Sequence, residues 1–297
     1  MKKAVKIILI IAACMIPIGI IAVVLGIRFG GQAGWSLNMS DGSLSFASDV
    51  VSGTENLESF DAIDLQVSTA DVNIVRGDEY KIEYKTRKGK EPEITQEGGK
   101  LSVKQPSMGF VMFNFGFNND ENTYTITVPE GSSEIELNAK ASTGDLMLDR
   151  IKVSGRIDAS TSDVMLNDIE GEDLAVSVSS GDIDGDKVKV KKIRLEGSTS
   201  DIEVLRMESD DAYCHASTGD IDINDSAISN LRCETSTGDV TVQLNGKSDD
   251  YSYDFKVSTG DIVLNGQEYE KSYTKDNGSD KKIDVKTSTG DINVSVM

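Results

Sequence analysis

From residue 141 to the C terminus, apolar residues fall at every second position in short runs. Counted from a recurring Asp, positions −8, −6 and −4 carry Leu174/Val176/Val178, Ile193/Leu195/Gly197, Leu231/Cys233/Thr235 and Ile283/Val285/Thr287. Positions +1 and +3 carry Leu146/Leu148, Val164/Leu166, Ile202/Val204, Ile221/Ile223 and Ile292/Val294. This alternation of period two predicts strands with one buried face. A further apolar residue at +6 (Ile151, Ile169, Val188 and Met207) predicts a corner packed on the same interior.

Between the two runs stands a short motif: a small or apolar residue, Ser, Thr or Ser, a small residue, Asp. Nine copies end at Asp71, Asp145, Asp163, Asp182, Asp201, Asp220, Asp239, Asp261 and Asp291. From Asp145 to Asp239 the steps are 18, 19, 19, 19 and 19 residues, and a fixed period near 20 means stacked repeats. Gly permits positive φ, while Ser and Asp side chains bond nearby backbone amides, so the motif reads as a turn. Six of the nine copies have Gly before the Asp, and Ala70, Ser162 and Ser200 fill the others, so the place wants a small residue.

Two strands and a corner within 19 residues leave too few for a covering helix. The predicted class is all-β: a parallel β-helix, or β-solenoid, expected to be right-handed. Eight coils from Ala141 to Met297 would form a rod about 38 Å long. Each coil touches only its neighbours, so the ends need caps. The chain finishes inside a strand, which predicts an uncovered edge at Met297.

Upstream, the pattern changes. Tyr80–Tyr84, Leu101–Val103 and Tyr124–Val128 alternate as strands, with Gly98-Gly99 as a turn and Pro129 as a stop. Residues 54–140 therefore read as a β region that begins and caps the solenoid of residues 141–297. Residues 29–53 are Gly- and Ser-rich and read as a linker. Residues 1–28 are of another kind: Lys2, Lys3 and Lys6 precede an uncharged run of 21 residues, 7–27, closed by Arg28. That length matches the roughly 20 residues needed to cross a bilayer core. The expectation is one N-terminal transmembrane helix with the lysines on the cytoplasmic side and the rest extracytoplasmic. Cleavage as a signal peptide, or lipidation at Cys14 within Ile11-Ala12-Ala13-Cys14, are the competing readings.

Charge narrows the partners. After Arg28 come 26 of the 30 basic residues and all 50 acidic ones, a balance of −24. Such a surface repels nucleic acid, so that class is set aside. Three cysteines are too few for a disulfide scaffold. Cys214 and Cys233, 19 residues apart, hold the same place in neighbouring repeats and are expected to stack as core thiols, an inter-rung disulfide being the alternative.

Candidate chemistry lies first in the Asp column. Carboxylates of Asp145, Asp163, Asp182, Asp201, Asp220 and Asp239, stacked about 5 Å apart, would repel unless backbone amides or cations hold them. Turn capping is the expected role, and a metal ladder is the alternative. Acidic pairs such as Asp182/Asp184 and Asp220/Asp222 arise from the repeat itself, and His215, the only histidine, faces outward beside Cys214. No nucleophile elbow, P-loop or zinc spacing occurs, so an enzyme is not expected, and neither is a cofactor. The breaks in the repeat are the better places to look. Phe110, Phe113, Phe115 and Phe117 crowd one insertion and are candidate partner contacts; two later insertions carry Tyr251, Tyr253, Tyr269 and Tyr273.

The S-T-G-D-[IV] units, following a V-P-E-G strand end and one N-terminal apolar segment, resemble a bacterial family of unknown function described as candidate adhesins with β-strand repeats. The resemblance covers roughly residues 55–297. It implies an extracytoplasmic β-solenoid linked to adhesion or to the envelope stress response, and it brings no catalytic residues. The expectation is thus a bacterial membrane-anchored, non-enzymatic interaction module whose partner is an envelope protein or a polysaccharide. An envelope-stress accessory protein and a polysaccharide-active β-helix enzyme are the alternatives.

Overall fold

The computed structural model describes residues 34–38, 44–46, 50–106, 111–116 and 122–297. The chain there is almost wholly strand, with a single 3-10 turn at Ser248–Asp250 among the described residues. The apolar run 7–27 lies outside them, and among the described residues no helix is long and apolar enough to cross a membrane.

The alternating runs become coils stacked in parallel register. Val164 pairs with Ile183, Leu166 with Gly185, Ile169 with Val188 and Leu174 with Ile193. Pairing along this coil lapses at residues 168, 172 and 179, so each turn of the stack has three short paired sides. The sequence pattern predicted two strands and a corner. The +6 residues instead begin a third side: Ile151, Ile169, Val188 and Met207 are buried. Its other inward position, +8, mixes Val153, Val190 and Ile228 with Gly171 and Ser209, which interrupts the hydrophobic period.

A second corner also has no signature in the motif. Arg150, Asp168, Lys187, Arg206 and Asp225, all at +5, have φ between 49 and 58°. Non-glycine residues are uncommon in this left-handed region, and Arg and Lys give no cue for it. The first corner behaves as its composition predicts. Gly219 and Gly238 have φ of 137 and 148°, and a Cβ on Gly238 would meet the Gly219 carbonyl oxygen at 2.0 Å. Where Ser200 replaces the glycine, its buried side chain turns inward, and a Cβ on Gly197 would come within 2.6 Å of the Ser200 Cβ. Position −4 is therefore empty of side chain in that coil because −1 is not.

The stack order departs from the chain order at the end. Ile283 and Val285 pair with Leu231 and Cys233 on one side and with Tyr253 and Phe255 on the other. The last coil of the chain is thus inserted between the Asp239 coil and the Asp261 coil. Ile292 likewise lies between Val240 and Ile262. The expected open edge at Met297 is corrected: the C-terminal strand is interior to the sheet, and the Asp261 coil stands at the end. That end is covered by Gln267–Tyr269 and Ser272–Lys275, which run antiparallel on Ile262–Leu264 and Tyr253–Lys256. Tyr251, Tyr253 and Phe255 are buried there, with Tyr269 and Tyr273 packed against them. The tyrosines of the late insertions are cap core.

At the other end, Ala62–Val67 and Asp71–Gly77 form the first motif coil, in register with Glu136–Ala141 and Leu146–Asp149. Lys100–Lys104 and Thr123–Pro129 add one further parallel layer. Beyond it the direction reverses: Glu93–Glu97, Lys81–Arg87 and Val50–Asn56 pair antiparallel. Reversal ends the stacking, because an antiparallel hairpin cannot continue a solenoid coil. Gly34–Asn38, Leu44–Phe46 and Val111–Gly116 form a separate three-stranded antiparallel sheet.

Candidate functional site

The Asp column forms a continuous ladder. The Asp145 amide donates to the Asp71 carboxylate, and the pattern continues through Asp163, Asp182, Asp201, Asp220, Asp239, Asp291 and Asp261 at 2.7–3.1 Å. The following amide of each coil donates to the next Asp carbonyl, as Ile202 does to Asp220 at 2.9 Å. Each ladder Asp amide from Asp145 onward therefore has an acceptor, and every ladder carboxylate except that of Asp261 keeps one oxygen occupied by a backbone amide. The ladder follows stack order, so Asp291 precedes Asp261. The side chains bond the neighbouring coil, whereas a turn cap would bond its own. Among the described residues no group of three or more His, Cys, Asp or Glu side chains is arranged to hold a metal ion.

Both ends of the ladder use residues from outside the repeat. Gln105, 5 % exposed, accepts amides of Ser68 and Thr69 at 2.6 and 2.9 Å, and the Asn122 carbonyl accepts the Asp71 amide at 2.9 Å. At the far end, Lys271 Nζ lies 3.5 Å from the Asp261 carboxylate and donates to the Gly260 carbonyl.

On the outward face of the second side, Asp184, Glu203 and Asp222 stand in register. Burial, then repulsion from Asp182, Glu203 and Asp163, pushes the Asp184 carboxyl up. On the first side, Arg194, Tyr213 and Arg232 are stacked, with guanidinium carbons 4.3 and 5.7 Å from the ring centre. Glu196, His215 and Glu234 stand beside them. Arg194 and Arg232 each bond a carboxylate on their own strand at 2.6 Å. The bond from Arg194 holds the Glu196 carboxyl below its ordinary range. At Glu234, burial pushes the other way but is outweighed by bonds from Arg232 and Tyr213. His215 stacks on Tyr213, with ring centres 6.3 Å apart and planes 11° apart, and is half-buried. Cys214 and Cys233 lie directly opposite each other, buried and free. Their mutual hydrogen bond, together with burial, pushes the Cys233 thiol up.

Of the candidate partner contacts, Phe110 and Phe117 lie outside the described residues. Phe113 and Phe115 fall in the strand Val111–Gly116, opposite Leu37 and Trp35.

One concavity stands out, on the third side. It has a volume of about 810 Å³. One wall is the +7 column of Lys152, Glu170, Lys189, Glu208 and Ala227, in register from coil to coil. The other is the +9 column of Glu172, Lys191, Asp210 and Ser229. Gly171, Val190 and Ser209 lie between the walls, and Ser132, Ser133 and Glu134 close one end. The charges alternate by coil: Glu170 and Glu172 on one, Lys189 and Lys191 on the next, Glu208 and Asp210 on the third. Ion pairs tie them at 3.5 Å (Lys152–Glu170), 3.3 Å (Lys189–Glu208) and 2.6 Å (Lys191–Glu172). The residues were readable as N-D-I-E-G-E-D, D-K-V-K-V-K-K and R-M-E-S-D-D. Their convergence required the register, which is why sequence reasoning passed over them.

Residues 60–295 match the Toastrack DUF4097 family, and the chain belongs to it. No curated protein matches. Among solved structures, an adhesin candidate from Bacteroides fragilis is similar at 12 % identity, covering 84 % of this chain and 98 % of that one, with a TM-score of 0.50. A lipid-binding candidate from Parabacteroides distasonis is similar at 16 % identity, covering 84 % and 97 %, with a TM-score of 0.51. At these identities the likeness shows a shared fold: an all-β, solenoid-like Toastrack domain.

Proposed function

We propose that the chain is a non-enzymatic, adhesin-like interaction module held at the bacterial cell envelope by residues 7–27. The observation that carries this reading is the Asp ladder. The one polar constellation repeated along the whole domain is engaged by backbone amides at 2.7–3.1 Å, so its carboxylates hold the stack together. The outward faces are left as ordered arrays of charged side chains, which suit recognition. The apolar length of 7–27 and the lysines before it support a single-pass anchor with the domain outside. The adhesin-candidate relatives and the S-T-G-D repeat support the same reading.

Two experiments test it. In intact cells, external protease should degrade the domain while a tag at residue 1 stays protected; protection of the domain would reject the topology. Incubating the full-length protein in detergent with cell-wall polysaccharides should release no products. Release that survives replacement of the ladder carboxylates, or is lost with any of them, would make it an enzyme.

A further inference from the structure

The groove on the third side crosses five coils and so runs for about 19 Å along the stack. Ligand pockets are ordinarily lined by apolar and aromatic side chains. This one is walled by side chains that end in ammonium and carboxylate groups, with the exposed Ala227 as a minor apolar patch, while the Val190 side chain is buried in the core beneath it. An apolar small molecule would gain little there. A uniform polycation or polyanion fares no better, because every attractive coil is followed by a repulsive one at a spacing of about 4.8 Å. The wall favours a ligand with both donors and acceptors at every step: a chain of sugars with free hydroxyls, whose hydroxyls donate to carboxylates and accept from ammonium groups. The ion pairs hold those groups in place before binding, which lowers the ordering cost.

Two spacings sharpen the class. The sugar-to-sugar advance of an extended, equatorially linked glycan is close to one coil. In a β-1,4-linked chain alternate sugars face opposite ways, so its chemistry repeats every second sugar, just as Glu170, Lys189 and Glu208 repeat every second coil. We infer that this groove binds a neutral β-1,4-linked glycan laid along the stack, about one sugar per coil, with Glu170, Glu172, Lys189, Lys191, Glu208 and Asp210 as its contacts. The inference rests on the interaction-module reading and names its partner.

The test is titration calorimetry of the full-length protein in detergent with β-1,4-linked oligomers of glucose and of N-acetylglucosamine, from one to eight sugars. Affinity for at least one series should rise with length, level off at about five sugars, and change little between low and high salt. The double variant Lys189→Ala/Glu208→Ala removes one ion pair at constant net charge and should weaken binding about tenfold or more. Arg194→Ala/Glu196→Ala, an ion pair on another side, should leave it unchanged. If the first variant does not fold, Ala227→Trp blocks the groove with its ion pairs intact and should give the same loss. Binding unchanged by both groove variants, no length dependence, or tighter and salt-sensitive binding of spermine would overturn the assignment. No heat with any oligomer would also overturn it while leaving the interaction-module reading standing, since that reading is judged separately by topology and product release.

Discussion

In the middle of the stack, the corner amide of each coil is bonded by the Asp of its neighbour, and every coil presents the same acceptor to the next. At the first coil the Asp71 amide is bonded by the Asn122 carbonyl, and the amides of Ser68 and Thr69 by Gln105, both from outside the repeat. At the last, Asp261 has Lys271 beside it in place of another coil. The difference teaches where information sits in a solenoid. An interior coil needs only to resemble its neighbours, because the partner of each group is another copy of itself. An end must satisfy groups that the repeat leaves unpaired, so its residues are unique and come from distant parts of the chain. The C-terminal end goes further: the Asp291 coil is placed between the Asp239 and Asp261 coils, and the last strand, Ile292–Val296, gains two neighbours. That arrangement protects a strand edge that would otherwise be open to association.

The largest expected effect breaks the cap. Phe255→Ala removes a fully buried ring from the final layer and should cost about 3–5 kcal/mol by denaturant unfolding. If the end is only decoration, the loss will be far smaller. Next comes Gln105→Ala, which takes the acceptor from the amides of Ser68 and Thr69 at a buried corner. It should cost about 1–3 kcal/mol, with Gln105→Glu retaining the acceptor geometry but burying a charge.

A direct comparison follows within the ladder. Asp201→Ala should cost about 1–2 kcal/mol, since the Asp220 amide loses a charged acceptor. Asp201→Asn should recover most of that, because its carbonyl oxygen can accept the same bond. Asp261→Ala, at the end of the ladder, should cost only a few tenths of a kcal/mol, as its carboxylate faces an exposed lysine. Equal losses at Asp201 and Asp261 would show that the ladder bond is not what Asp201 contributes.

The smallest effects are electrostatic. The Glu196 carboxyl is held below its unfolded value by Arg194, and the Asp158 carboxyl by its bond from Arg156. Stability from such groups is complete above their unfolded pKa, about 4, and is lost as pH falls through the lower folded value. Arg194→Ala should therefore lose this small contribution at pH 7 and converge with the parent protein as pH falls through that window, which flattens the acid limb of a stability-versus-pH curve. Asp184 has the opposite sign: its folded pKa is raised, so its ionised form opposes folding above that value and the opposition disappears as pH falls through it. Asp184→Asn should stabilise slightly at pH 7, within the roughly 0.5 kcal/mol typical of surface changes.

The alternation at −8, −6 and −4, the glycine corner and the 19-residue step were legible because period two and turn chemistry are local properties of the backbone. They fixed the all-β solenoid and placed Cys214 opposite Cys233. The third side was hidden, because Gly171 and Ser209 break its apolar column, and Arg and Lys at +5 give no sign of a left-handed corner. The exchange of the last two coils could not be read either. Nearly identical repeats can stack in either order at similar local energy, and the choice rests on which one buries Tyr251, Tyr253 and Phe255 beneath a closing hairpin. The groove shares that dependence: three charged runs of separate coils become its two walls through register. A repeated sequence writes its coil locally, but the order of coils and the faces they build are settled by contacts between residues far apart in the chain.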